Sequence, residues 1–280
     1  MSKKSTGERL EFFDFSDVTV EHLHRYAIAN DFVEGKVILD IASGEGYGSY
    51  ILSKKALEVI GVDIDVESVQ NAKEKYLKDN LKFIVGNADN IPVESNSIDI
   101  VVSFETIEHH DKHEEMFLEI KRVLKDDGIL IMSSPDKKYY SDIPKFKNKF
   151  HVKELYFDEF ECLTKKHFSF SKFYLQKAYN LNSLVSNICD FNNIVVYSGD
   201  QSNVSKSANQ HLYILTIAAQ HDINELPTSF FNGADINKVI LENYLICITN
   251  TIRNTTSYKF GNLFIKPIYL FSSFIKKRFK

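Results

Sequence analysis

Apolar and polar residues alternate in blocks along the middle of this chain, in a strand-then-helix rhythm. Short apolar runs at 37–41, 57–62, 81–85, 98–104 and 129–133 read as strands. The run at 98–104 is continuous, as in a sheet covered on both faces. Between the runs, 47–55, 66–78 and 112–124 read as helices; in the second, Val66, Val69, Ala72, Tyr76 and Leu77 recur close to helical spacing. Asp126-Asp127-Gly128 reads as the stop of the third helix. Such alternation implies parallel strands with right-handed crossovers. A helix is expected ahead of them at 20–30, with Leu23, Tyr26, Ala27 and Ile28 on one side. After Pro135 the rhythm breaks into a Lys- and aromatic-rich loop. A helix at 156–167, strands at 168–176 and 212–219, and an exposed polar excursion at 198–210 follow. The spacing of Ile236, Val239, Ile240, Tyr244, Leu245 and Ile248 predicts a last helix over 234–253, and 261–275 is strongly apolar and aromatic.

The chain is organised around Val37-Ile38-Leu39-Asp40-Ile41-Ala42-Ser43-Gly44-Glu45-Gly46-Tyr47-Gly48. Strand, glycine turn and helix open a nucleotide-binding βα unit. One glycine lets the chain turn, one lets the backbone approach a ligand, and one lets helix and strand pack closely. The spacing Gly44-x-Gly46-x-Gly48 departs from the dinucleotide fingerprint, since position 49 is Ser. Asp63 closes the next strand about 20 residues on, where an acid takes the ribose hydroxyls of a bound nucleoside.

The strings VILDIASGEGYGS and VIGVDID resemble the class I S-adenosylmethionine-dependent methyltransferases, and the similarity continues through 83–135. TGERLE, EHLHRYAIA, ASGEGYGS and NKFHVKELYFDEF are similar to a bacterial group linked to glycosyltransferases and to O-antigen or capsule synthesis. The resemblance covers about residues 5 to 220. It implies an α/β fold with a Rossmann-like, seven-stranded, mostly parallel sheet, helices on both faces and an antiparallel final strand; a C-terminal helical extension is read beyond it from the spacing at 234–253. It implies an N-terminal helical cap at 1–35 and the methyltransferase domain at 36–220; beyond them, 221–280 reads from its composition and helical spacing as a helical, basic extension.

The same resemblance implies S-adenosylmethionine as donor and assigns roles. Ala42, Gly44 and Gly46 would line its methionine and sugar, and Asp40 would orient the glycine turn or reach the ammonium. Asp63 would take the ribose hydroxyls and Ile64 would cover the adenine. In the stretch from Gly86 to Pro92, similar to a family pattern GDAxxLPF, Ala88 and Asp89 would hold the adenine edge; Asn87 departs from the pattern. Phe104 closes the donor site at the end of the fourth strand. His109, matching a recurring family histidine, would be the base for a sugar hydroxyl, with Glu105 or Glu108 to orient it. Glu108 also reads as a plain helix-start acid. His151 is the second candidate base, near Lys153 and Glu154. Arg9, Arg25, Tyr26 and His110 would contact the acceptor, and His22 and His24 share the helix that covers the cleft.

Composition narrows the partners. A chain 44% hydrophobic and 26% charged folds as a globular protein. Cys162, Cys189 and Cys247 form no C-x-x-C pair, which argues for a reducing compartment without disulfides or a zinc site. No secretory signal and no membrane-spanning run are expected, so the location expected is cytoplasmic. From Tyr244 onward there are seven bases, Arg253, Lys259, Lys266, Lys276, Lys277, Arg278 and Lys280, and no acid. The rest is therefore more acidic than the net −4, which disfavours nucleic acid. The basic tail reads as a helical cap on the domain or on a second copy in a homodimer, or as an element docking on the inner membrane face or on a glycosyltransferase. No metal site is expected, because the His and acid residues lack ligand spacing, and there is no G-K-[ST] phosphate loop.

The reading is thus a methyltransferase acting on a sugar, nucleotide-sugar or other glycan precursor of a surface polysaccharide. Its rivals are a small-metabolite N- or phosphate-O-methyltransferase and a non-catalytic cofactor-binding scaffold. A nicotinamide dehydrogenase is disfavoured by the glycine spacing and the Asp89 segment.

Overall fold

The computed structural model describes residues 17–256, 258, 259 and 261. The chain divides into two units, the first ending at Gly233 and the second beginning at Ala234. The first unit runs α1 (Asp17–Ala29), β1 (Val37–Ile41), α2 (Tyr47–Leu52), β2 (Glu58–Asp63), α3 (Val66–Lys75), β3 (Leu81–Val85) and β4 (Ile98–Ser103). It continues through α4 (His113–Val123), β5 (Leu124–Pro135), α5 (Phe157–His167), β6 (Phe170–Tyr179), β7 (Asn182–Asn187), α6 (Ile188–Asn193), β8 (Val196–Gly199), β9 (Val204–Ser207), β10 (Tyr213–Ala219) and β11 (Ser229–Phe231). The main sheet is ordered β11-β7-β6-β10-β5-β4-β1-β2-β3, and β8 pairs with β9 apart from it. β1 to β5 pair in parallel, while β10, β6, β7 and β11 are joined antiparallel. This is the Rossmann-like class expected, with β10 as the antiparallel strand between β5 and β6.

Among the described residues the main sheet has nine strands where seven were expected. The two extra ones are β7 and β11, and the polarity of β7 explains why it escapes pattern reading. Its buried residues are Ser183, Val185 and Ser186, so a single aliphatic side chain stands among serines. Ser183 Oγ meets Gln176 Nε2 at 2.9 Å and His24 Nδ1 at 3.0 Å, and Ser186 Oγ meets Thr228 Oγ1 at 2.7 Å. A buried strand can be polar when every polar group is paired. The expected helix stop at Asp126-Asp127-Gly128 lies inside β5 instead. Pairing with β4 jumps there from Ile98–Leu124 to Ile100–Ile129, so the polar triplet is a bulge.

Successive residues of a strand face opposite sides of a sheet, and both sides here are covered. Ile38 and Val102 pack with Tyr26, Leu52 and Ala72 of α1, α2 and α3. Leu39 and Val101 pack with Phe117, Ile120 and Phe160 of α4 and α5. β11 at 229–231 pairs with β7 in the same unit. In the second unit, α7 (Ala234–Asn254) forms over the expected span. The segment 262–280 and Arg9 lie outside the described residues. No helix among the described residues is long and apolar enough to cross a membrane.

α1 carries charge into the interior. Glu21 is buried and accepts from the Ala178 amide at 3.2 Å. Burial raises its pKa from 4.5 to about 7, against the lowering effect of Arg25. The unfolded chain releases this proton near pH 4.5, whereas the folded chain keeps it to about 7. The folded state therefore binds more protons across that window, and stability falls as pH rises through it. Asp40, raised by burial to about 7, acts in the same direction. Glu21→Gln is expected to flatten the fall and to add about 2–3 kcal/mol at pH 8. Urea midpoints at pH 5.5 and 8 measure this; an unchanged slope would show that Glu21 is ionised in the folded chain.

Candidate functional site

The carboxyl ends of β1, β2 and β4 open onto a cavity of about 720 Å³. At its floor the β1 turn takes left-handed backbone at Ala42 (φ 58°), Gly44 (φ 54°) and Gly46 (φ 82°). A β-carbon on Gly46 would stand 2.5 Å from the Phe83 ring, and one on Gly48 would stand 1.9 Å from the Tyr26 ring. Those two glycines let α1, α2 and β3 close behind the turn, while Gly44 and Ala42 face the cavity. Asp40 is not on the lining. Its carboxylate accepts from Ser49 Oγ at 2.6 Å and from the Tyr26 hydroxyl at 3.2 Å, which fixes the start of α2 under the turn.

Asp63, at the end of β2, lines the cavity. It accepts from the amide of Gly44 at 2.8 Å and from that of Asp65 at 2.9 Å, tying the glycine turn to the second strand. Ile64 beside it is 68% exposed, an apolar surface open to a flat ring. Ala88, Asp89 and Phe104 share the lining. The Asp89 carboxylate is engaged by Lys112 Nζ at 2.5 Å, and that hydrogen bond lowers its pKa. Phe104 meets the Tyr26 ring edge-on at 5.0 Å.

The far end of the cavity is built on the turn after β4. Glu105 has φ 50°, an uncommon value for a non-glycine residue, and it too faces the cavity. It accepts from Ser133 Oγ at 2.6 Å and pairs with the Arg25 guanidinium at 3.2 Å. Glu108 and His109 sit in a 3₁₀ turn, Ile107–His109. The amides of Val152 and Lys153 donate to the Glu108 carbonyl at 2.8 and 3.1 Å. Those bonds bring His151 over the turn, where its ring meets His109 edge-on at 5.1 Å. His109 Nδ1 lies 3.3 Å from the Phe150 carbonyl, and His151 Nδ1 lies 2.6 Å from Glu154 Oε1. Glu108, read from sequence as either an orienting acid or a helix-start acid, is 1% exposed, and its carboxyl oxygens have no hydrogen-bond partner among the described residues. Burial and the neighbouring Glu105 hold its pKa well above the carboxylate range. His110 lines the cavity with Nε2 3.3 Å from Met116 Sδ, and burial lowers its pKa.

Arg25 requires a correction. It is 1% exposed and absent from the lining, so it does not reach an acceptor. Its Nε donates to Gln176 Oε1 at 2.6 Å, and its guanidinium lies 4.3 Å from the centre of the Tyr213 ring. The reason is its place on the inner face of α1, against β6 and β10. Tyr26 contributes its ring to the lining but gives its hydroxyl to Asp40. His24 is buried, bonded at 3.0 Å to both Ser183 and Ser229, and burial lowers its pKa to about 4. His22 does line the cavity. Sequence reasoning missed Thr106, Lys112 and Phe150, also on the lining. Phe150 had a signal, adjacency to His151; the other two had none.

A family model described as a methyltransferase domain matches residues 32–196. A Mycolicibacterium smegmatis protein named "Probable S-adenosylmethionine-dependent methyltransferase" is 33% identical over 124 residues, which cover 43% of this chain and 47% of that protein. A Mycobacterium tuberculosis protein bearing the same description is 33% identical over 129 residues, 45% of this chain and 46% of its own. The chain thus spans about half the length of the curated relatives it matches. A Thermotoga maritima structure described as a SAM-dependent methyltransferase superposes with a TM-score of 0.51 at 17% identity, over 73% of this chain and 91% of that one. That likeness establishes the shared fold.

Proposed function

The chain belongs to the methyltransferase-domain family, and from that premise we propose that it moves the methyl group of S-adenosylmethionine to a hydroxyl of a sugar, or a related polar group, on a surface-glycan precursor. The observation that carries this reading is one cavity running from the glycine turn and Asp63 to His109. A sulfonium donor brings its own leaving group, so the protein has to align two partners and accept one proton. The acceptor oxygen attacks the methyl carbon, the S–C electron pair returns to sulfur, and the hydroxyl proton passes to the His109–His151 pair. With Nδ1 of His109 facing the Phe150 carbonyl, Nε2 is the nitrogen available for that proton.

The acceptor class has support from polarity. The far end is lined by Glu105, Thr106, His109, His110 and Lys112, a surface suited to hydroxyl-rich molecules. A second hollow of about 520 Å³ has His151 on its wall, with Lys137, Lys145, Lys147 and Lys153. Four lysines beside the base favour an acceptor that carries phosphate, as a nucleotide-sugar does.

Calorimetric titration with S-adenosylmethionine, S-adenosylhomocysteine and NAD, followed by methyl-acceptance assays on nucleotide sugars and free sugars, tests this reading. Binding of both sulfur nucleosides and not of NAD is expected. His109→Ala should lower kcat about 10²- to 10⁴-fold and leave S-adenosylhomocysteine affinity within about twofold. If neither nucleoside binds, the chain is a scaffold that keeps the fold without the donor.

A further inference from the structure

We propose that Glu108, His109 and His151 bind one divalent transition-metal cation at the far end of the cavity. The three ligand atoms lie within 4.8 Å of one another. Tetrahedral ligands about 2.1 Å from one such ion stand about 3.4 Å apart, so side-chain rotations that move these atoms by up to about 1.4 Å close the set. One carboxylate and two imidazoles suit Zn²⁺, Mn²⁺ or Co²⁺ better than Ca²⁺ or Mg²⁺.

Two independent features point to a ligand here. Glu108 is a buried carboxyl whose oxygens have no hydrogen-bond partner among the described residues, and His109 Nε2 stands 3.9 Å from its Oε1. A buried polar group left without a partner is costly and rare, so it calls for an explanation. The second feature is the support behind both imidazoles. His109 turns Nδ1 to the Phe150 carbonyl and His151 turns Nδ1 to Glu154, which leaves the Nε2 atoms outside those contacts, that of His109 3.9 Å from Glu108. A histidine that ligates a metal is oriented in this way, by a carbonyl or carboxylate on its other nitrogen. With only three protein ligands, the ion keeps a position open toward the cavity.

The role of the ion rests on the methyl-transfer reading; its binding does not. An acceptor hydroxyl in the open position would have its pKa lowered by the ion, and its proton would pass to bulk water as the oxygen attacks the methyl carbon and the S–C electron pair returns to sulfur. With the ion bound both imidazoles are ligands, so the proton that His109 takes in the metal-free chain goes to water instead.

The test uses the tag-free full chain, stripped with chelator and titrated with Co²⁺ by visible absorption and with Mn²⁺ by calorimetry. One ion per chain is expected. Glu108→Gln and His151→Asn should weaken Co²⁺ binding at least tenfold, and Glu154→Gln about 10- to 100-fold through its hold on His151. Each variant is also titrated with S-adenosylhomocysteine, whose unchanged affinity shows a folded chain and keeps the donor reading separate. If Glu108→Gln loses that affinity, His151→Asn and Glu154→Gln carry the test. Absence of stoichiometric Co²⁺ and Mn²⁺ binding in a chain that binds the nucleoside overturns the proposal. So does binding that these variants leave unchanged.

Discussion

Replacing Arg25 with alanine is expected to cost about 3–5 kcal/mol of stability, because it removes one member of a buried charge pair and leaves the other behind. Glu105 would keep its place beside Ser133 without the guanidinium 3.2 Å away. Gln176 would lose the donor at 2.6 Å, and the Tyr213 ring would lose its cation. Arg25→Lys should recover only part, since an ammonium cannot serve Glu105, Gln176 and the ring face together. Urea denaturation measures the loss. A variant of near-native stability with a raised acceptor KM would return Arg25 to the acceptor-binding role that its sequence neighbourhood suggests.

Asp63→Ala should weaken S-adenosylhomocysteine binding by about two orders of magnitude or more. Two charge-assisted hydrogen bonds to ribose hydroxyls, at about 1.5–3 kcal/mol each, account for that range. Asp63 also holds the Gly44 and Asp65 amides, so part of the loss comes from a loosened glycine turn. Asp63→Asn keeps an acceptor oxygen at lower charge and should fall between the two. Isothermal titration of the three proteins gives the ranking; equal affinities would mean that the ribose is held elsewhere.

The glycine-turn half of the cavity was legible from sequence because its residues are close in the chain and each is bound to a local backbone event. The run from Val37 to Gly48 specifies strand, turn and helix by itself, and Asp63 marks the end of the adjacent strand. Ala42, Gly44, Asp63, Ile64, Ala88, Asp89 and Phe104 meet on one cavity wall. The limits lay where direction matters. Asp40 belongs to the same motif, yet it faces Ser49 and Tyr26, behind the lining.

The far half of the cavity depends on pairings far apart in the chain. From sequence Arg25 is expected against the acceptor, and only the docking of α1 on β6 and β10 shows that it points into the interior. β7 carries no apolar run longer than Leu184-Val185, because its buried Ser183 answers polar groups of α1 and β6 and its buried Ser186 answers Thr228. Glu108 passes for a helix-start acid until the 3₁₀ turn buries it. No spacing in sequence joins positions 108 and 109 to 151. Two backbone hydrogen bonds to the Glu108 carbonyl join them in space. The sequence by itself determined the α/β class, the glycine turn and the acid that closes the second strand, since hydrophobic period and glycine stereochemistry act over a few residues. Tertiary structure alone decided which charges are buried and which histidines meet, since those follow from contacts across the sheet.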